Sequence, residues 1–395
     1  MNPSICQIPT LSCPMLGAYR GAAGIKDGAI VVHSIPGCLF GAARPHIQSH
    51  WYNMPHLSTV VYDNEVIMGG EQRLRETVHW AIDNFQPSIL FVVTGCIPEI
   101  IGDDISAVIA EFNNCKVPVE AISTPGFKDD EVKGLLELMH RLVNHMQVGE
   151  KRPKSVNLIG LCADDFQIDN DLKELRSMLA PEISINTVLC YDSYENIQNV
   201  PRAEHNIVFP GFETIGELIQ EKFCIPYKVF EYPYGMEASS AFIRQSHALF
   251  GLESEATVVK HEEALLQRLS AISNYIDNLS NVPCAVIGNR LFGGALSHAL
   301  STELGMKAMF YDTSLNRDFY EIEKQIEISP ACMIFGDSFS RGIAEKLKIP
   351  HVSCFYPVLD RMACSPRTYV GYTGLTYLLE DIVNMAMGFR EEQLP

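Results

Sequence analysis

Short apolar, β-branched runs alternate with stretches of helical periodicity along the chain, and this rhythm limits the possible fold more than any other feature. Strand-like runs occupy residues 29–33, 91–94, 117–122, 156–161, 183–189, 206–209, 284–288, 307–311, 331–335 and 351–355. Helical patterns lie between or after them at 71–85, 105–112, 130–145, 171–179, 214–223, 237–279, 292–304 and 340–347. Strands that alternate with helices imply parallel βαβ units with right-handed crossovers. The polar stretch 149–155 and Asn281-Val-Pro283 interrupt the rhythm. The expectation is therefore an α/β chain of three Rossmann-like units, 1–152, 153–282 and 283–395, each a parallel sheet flanked by helices, the last closing with a C-terminal helix. Residues 1–28 show little periodicity and read as an irregular lead-in.

Length agrees, since 395 residues exceed what one ordinary core accommodates. A net charge of −18 disfavours nucleic acid as a partner, because phosphate neutralisation needs clustered Lys and Arg. No apolar run reaches the roughly 18 residues of a membrane span. The N-terminus lacks the pattern of a secretory signal, so a cytoplasmic protein with no membrane partner is expected.

Twelve cysteines in such a chain are more plausibly core residues, metal ligands or redox groups than a disulfide framework. Cys162, Cys190, Cys284 and Cys332 lie in or beside strand-like runs and read as packing residues. Cys38 and Cys96 differ. Each follows a strand and a glycine, as Gly37-Cys38 and Gly95-Cys96, so both would lie on the carboxyl edge of one sheet, where open α/β sheets put their chemistry. Cys13 stands in the lead-in, which could fold over that edge. Thiolates suit iron–sulfur clusters, but the spacing matches neither a ferredoxin run nor a zinc pair, and by itself it favours structural thiols.

Other candidates are weaker. His46 and His50 have a shared-metal spacing without the zinc-protease glutamate, and read as surface. Gly69-Gly70 lacks the ending of a phosphate loop. Gly336-Asp-Ser338 reads as a βα turn with a helix cap rather than a nucleophile, and the loop at Gly288 as one beside a crevice.

In sequence order, Pro36-Gly37-Cys38, Met68-Gly-Gly-Glu71, Thr94-Gly-Cys96-Ile-Pro-Glu-Ile-Ile-Gly-Asp-Asp104, Lys222-Phe-Cys-Ile-Pro226, the Gly288 loop, Tyr356-Pro-Val-Leu-Asp360-Arg361 and Val370-Gly-Tyr-Thr-Gly374 resemble the catalytic-component proteins of nitrogenase. That family includes the molybdenum–iron protein subunits, their cofactor-assembly scaffolds and related reductases. The resemblance spans almost the whole chain. It implies an iron–sulfur cluster at a subunit interface with Cys13, Cys38 and Cys96 as metal ligands, shared with a homologous or identical subunit. Gly37, Gly95 and Gly102 would let the backbone approach or turn beside the cluster, and Asp103 and Asp104 would cap the next helix. A separate ATP-dependent iron–sulfur reductase is implied as partner, and a second metallocluster or a tetrapyrrole as a possible further cofactor.

The departures narrow this. The family's α-type cofactor cysteine and histidine fall at Gly216 and near Phe355, so the chain looks β-type or scaffold-type. The expected function is an electron-accepting subunit of a nitrogenase-like reductase, the alternatives being a cluster-assembly scaffold or a tetrapyrrole-reducing member.

Overall fold

A computed structural model describes residues 6–48, 54–315, 317–362 and 365–391. Three parallel four-stranded sheets carry the fold, each with one strand order. The first runs β2-β1-β3-β4, from β1 (Gly28–His33), β2 (His56–Ser58), β3 (Ile89–Thr94) and β4 (Val119–Ser123). The second runs β6-β5-β7-β8, from β5 (Ser155–Ile159), β6 (Ser184–Val188), β7 (His205–Val208) and β8 (Tyr227–Val229). The third runs β10-β9-β11-β12, from β9 (Pro283–Gly288), β10 (Lys307–Asp312), β11 (Ile334–Gly336) and β12 (His351–Ser353).

Both faces of the central strands are buried, which explains their unbroken apolar runs. In β1, Ile30 and Val32 join one core that continues through Leu158 of the second sheet and Val286 of the third. Ala29 and Val31 point the other way, into a smaller core beneath the helix Glu71–Phe85. The register pairs Val32 with Val93 and His33 with Thr94, so the strands of the first sheet end level.

Helices in the first unit are α1 (Pro14–Ala23), α2 (Pro36–Gln48), α3 (Asp63–Met68), α4 (Glu71–Phe85), α5 (Cys96–Ile101), α6 (Ile105–Ala110) and α7 (Glu131–His145). Helix α1 corrects the expectation of an irregular lead-in. A Cβ on Gly17 would lie 1.8 Å from the Glu131 carbonyl oxygen, and one on Gly134 would lie 1.8 Å from that of Pro14. The segment shows no apolar period because its contact face is made of glycines, which let α1 and α7 touch backbone to backbone.

Other expectations also shift. Strands β2 and β8, three residues each with none fully buried, carry no apolar run and were not expected. The single helical stretch at 237–279 resolves into Gly235–Ala248, Glu255–Ser270 and Ser273–Asp277, the first break falling at Gly251, whose φ is +64°. The C-terminal helix Gly371–Glu391 packs chiefly on the first two of these, beside the second sheet. Cys162, Cys190 and Cys284 are buried as expected, whereas Cys332 is exposed, because it precedes β11 instead of lying inside it. Among the described residues, no helix is long and apolar enough to cross a membrane.

Candidate metal centre

The carboxyl ends of β1, β3 and β4 and the start of α1 bring three thiols together. Cys13 is the residue before α1, Cys38 lies in the first turn of α2, and Cys96 opens α5. All three are partly buried. Between Cys13 and Cys96 lies Gly126, from the connection that follows β4. Its N–H donates to the Cys96 Sγ over 3.1 Å. A Cβ there would stand 3.2 Å from the Cys13 Cβ and 3.2 Å from the Cys96 Sγ. On the other side, the Ser34 hydroxyl donates to the Cys38 Sγ over 3.2 Å. A Cβ on Gly95 would fall 2.1 Å from the Ser34 Oγ, so only glycine lets that hydroxyl in.

These features suit thiolates. Burial pushes the Cys13 thiol up, and charge on Cys38 or Cys96 would push it further. Three ionised thiols this close need a cation among them, and helix starts at α1 and α2 lend part of one. No three His, Cys, Asp or Glu side chains among the described residues close around a single ion. A cluster several atoms wide takes its ligands farther apart, and soft sulfur donors with N–H and O–H groups aimed at them fit an iron–sulfur group.

Of the glycines singled out, Gly95 lies beside Cys38. Gly37 shares the first turn of α2, and a Cβ there would meet nothing within 4 Å. Gly102, with φ +80°, ends α5 so that α6 can start, a turning role. Asp104 caps α6 by accepting from the Ala107 N–H over 2.9 Å. Asp103 departs from the expected cap. It accepts from the Gly70 N–H over 2.9 Å and faces the His33 Nε2 at 3.2 Å, both side chains buried. His33 in turn bonds Thr59 through Nδ1, and burial lowers its pKa. The side chain of His46, and all of His50, lie outside the described residues. Gly126 and Ser34 were missed by sequence reasoning; Pro125-Gly126 also follows a strand of this sheet, and that position was the available signal.

Exposed apolar side chains stand on the thiol-bearing elements and their neighbours. Ile35 and Phe40 flank Cys38, Ile100 lies on α5, Phe127 follows Gly126, and Ile67 and Met68 project from α3, which packs on α5. Met68 is 84% exposed and Phe40 72%. A patch of this kind marks a contact surface.

A second feature lies between the units. A cavity of about 310 Å³ is bounded by Arg20, Glu131, Phe212, Asn289, Asp337 and Tyr356, among others, with no Cys or His among the described side chains of its wall. Arg20 Nε bonds Asp164 at 2.6 Å and its Nη2 bonds Asp165 at 2.5 Å, with the Tyr356 ring 3.6 Å beneath the guanidinium. Burial raises the carboxyls of Asp165 and Asp337 to about 6 and about 7. Phe355 also faces this cavity, while Gly216 packs on Val208 and Tyr227 away from it.

The chain is 22% identical over 446 aligned residues to the nitrogenase molybdenum-iron protein beta chain of Methanococcus maripaludis, covering 95% of this chain and 93% of that one. To the nitrogenase iron-molybdenum cofactor biosynthesis protein NifE of Bradyrhizobium diazoefficiens it is 23% identical over 377 residues, covering 85% and 66%. The fold matches the solved structure "Nitrogenase Cp1 at pH 6.5" with a TM-score of 0.83 at 19% identity, covering 100% of this chain and 96% of the other. The model of the nitrogenase component 1 type oxidoreductases matches residues 13–313 and 311–387, and the near-complete alignment falls on a β chain. The chain is thus a nitrogenase-like, β-type member of the nitrogenase component 1 type oxidoreductase family.

Proposed function

We propose that this chain is the electron-accepting subunit of a nitrogenase-like reductase, with Cys13, Cys38 and Cys96 holding an iron–sulfur cluster at an interface with a homologous or identical subunit. The observation that carries this reading is the grouping of three partly buried thiols, Cys13 and Cys96 beside Gly126 and Cys38 beside Gly95, on elements that carry exposed apolar side chains. Three cysteines leave a four-iron cluster short of one ligand, so a partner chain or another residue completes the site. When bound, the cluster supplies one-electron chemistry at low potential. The protein's part is to hold it, to aim the Gly126 N–H and the Ser34 hydroxyl at its sulfur ligands, and to keep water from one side. Electrons come from a separate ATP-dependent iron–sulfur reductase, because this sequence has no phosphate loop. The units correspond to residues 1–152, 153–282 and 283–395, and the complex works in the cytoplasm.

The cavity wall favours a second reading, that of a scaffold which passes a maturing cluster on. Among its described side chains it offers carboxyls, an arginine and a tyrosine but no thiol or imidazole to keep a metal permanently. A tetrapyrrole-reducing role is the further alternative.

The test is an anaerobic preparation of the native complex, with iron, molybdenum, vanadium and nickel measured together and electron paramagnetic resonance recorded. Iron with a cluster signal, lost in Cys96→Ala, is the expected result. No iron after reconstitution overturns the reading. Substrate turnover with the reductase and ATP separates enzyme from scaffold.

A further inference from the structure

The cavity between the units is lined by a buried carboxyl that has no counter-ion. Asp337 belongs to the Gly336-Asp-Ser338 turn after β11 and is 8% exposed. Its Oδ1 accepts from the Ser340 N–H over 2.8 Å, closing the turn before the helix Arg341–Leu347. No Lys, Arg or His among the described residues pairs with it. A turn closure works as well at the surface, whereas a carboxyl taken out of water calls for a cation.

The rest of the wall favours the same sign. Arg20 is the cation among its described side chains, and it is fully engaged, bonded to Asp164 and Asp165 and 3.8 Å from Glu131. Against that one guanidinium stand four carboxyls, Glu131 and Asp337 in the wall and Asp164 and Asp165 behind Arg20. An anion therefore finds no free positive charge there, and a cation finds a surplus of negative charge. Five aromatic rings complete the lining, Phe212 from the second unit and Phe292, Phe339, Phe355 and Tyr356 from the third. Ring faces attract cations. The wall already contains one such contact, the Arg20 guanidinium 3.6 Å over the Tyr356 ring.

We propose that this cavity binds a small organic cation, with the Asp337 carboxylate as counter-ion and the aromatic rings as its cage. A bare metal ion fits less well, since no three His, Cys, Asp or Glu side chains among the described residues close around one. The volume of about 310 Å³ holds roughly ten waters at about 30 Å³ each, or a ligand with a similar number of heavy atoms. One side is closed by a strap over residues 7–12. Its Gln7 and Ile8 N–H groups donate to the Asp318 carboxylate over 2.7 and 2.9 Å, and the Thr10 hydroxyl donates to the Thr313 carbonyl over 2.8 Å. That the cation is the molecule reduced rests on the reductase reading above; that it binds does not.

The test compares three probes of one shape by equilibrium dialysis against the anaerobically purified native complex: choline, its uncharged analogue with carbon in place of nitrogen, and the anion pivalate. Burial holds the Asp337 carboxyl up at about 7, so the measurement is made at about pH 8, where it is charged. Choline should bind saturably and at least about tenfold more tightly than the uncharged analogue, with pivalate weakest. Asp337→Asn, which keeps an oxygen for the Ser340 N–H, should weaken choline about tenfold or more and leave the analogue unchanged. Equal affinities for choline and the analogue, tightest binding of pivalate, or no saturation by choline up to about 50 mM overturns the site. So does unaltered choline binding in Asp337→Asn. If that variant does not fold, Phe339→Leu, at an exposed position, decides by weakening choline relative to the analogue. Dialysis needs neither reductase nor electrons, so an iron-free protein that binds choline sinks the reductase reading alone, and an iron-loaded one that does not sinks the cation site alone.

Discussion

The backbone N–H of Gly126 donates to the Sγ of Cys96 over 3.1 Å, across the end of the first sheet. In the proposed cluster, a hydrogen bond to a ligand sulfur would stabilise the reduced, more negative state, so this contact would set potential as well as position. Gly126→Ala places a methyl group 3.2 Å from both the Cys13 Cβ and the Cys96 Sγ. Those groups must give by a few tenths of an ångström. The expected outcome is a folded protein whose cluster signal is shifted or whose iron content falls by about half or more, read by metal analysis and paramagnetic resonance. An unchanged spectrum would remove Gly126 from the site.

Gly70 supports the same region from behind. A Cβ there would sit 2.7 Å from Asp103 Oδ2 and 2.9 Å from the His33 Cε1, both buried. Gly70→Ala should therefore destabilise the protein by about 1–3 kcal/mol through overpacking. Urea denaturation measures this, and Gly37→Ala, where a Cβ meets nothing within 4 Å, is the control expected to change far less.

Arg20 faces three carboxylates, bonding Asp164 and Asp165 directly and standing 3.8 Å from Glu131. Removing a buried ion-pair partner strands the charges it faced. Arg20→Met is expected to cost about 3–5 kcal/mol. The loss should ease as pH falls and these carboxyls take up protons. Denaturant titrations at two pH values check both parts.

Asp171 is buried, accepting from the Tyr232 hydroxyl over 2.7 Å and from Thr368 over 2.5 Å. Burial raises its pKa from 3.8 to about 7. Between those values the unfolded chain has released a proton that the folded protein keeps, so this group's contribution to stability falls as pH rises through that window and is flat above it. Asp171→Asn carries no such proton. Wild type should lose more stability than the variant between about pH 4 and about pH 7, as read from denaturant midpoints. Equal slopes would mean that the carboxylate is ionised throughout.

Much of the fold was legible because buried parallel strands are apolar on both faces, and ten of the twelve strands among the described residues announced themselves in this way. The two that did not, β2 and β8, are short and have no fully buried residue, so no apolar run marks them. Helix α1 was hidden by a different cause, since Gly17 and Gly21 make its contact face and a period of absent side chains is invisible. At the site, Cys38 and Cys96 were marked by their place after strands. Cys13 was marked by a segment that could fold over the same edge, and only the resemblance made it a ligand. Gly126 and Ser34 act through an N–H and a hydroxyl aimed in space, a relation that no sequence spacing encodes. Asp103 was misread as a cap because its partner Gly70 lies 33 positions earlier.

The strand order shared by the three sheets has a mechanical consequence. In each, the order reverses between the first and third strands, at β1/β3, β5/β7 and β9/β11. Such a reversal leaves a notch beyond the strand ends. The chain thus owns one notch three times and furnishes each differently. The first carries Cys38 and Cys96, and the third opens onto the cavity through Asn289 and Asp337. The second is stoppered by Arg20, lodged against Asp164 and Asp165 just past β5 with Tyr356 of the third unit stacked on it. One arginine therefore acts as a pin through all three units, and the span from the thiols to the cavity is gauged by a residue that is no part of the thiol group.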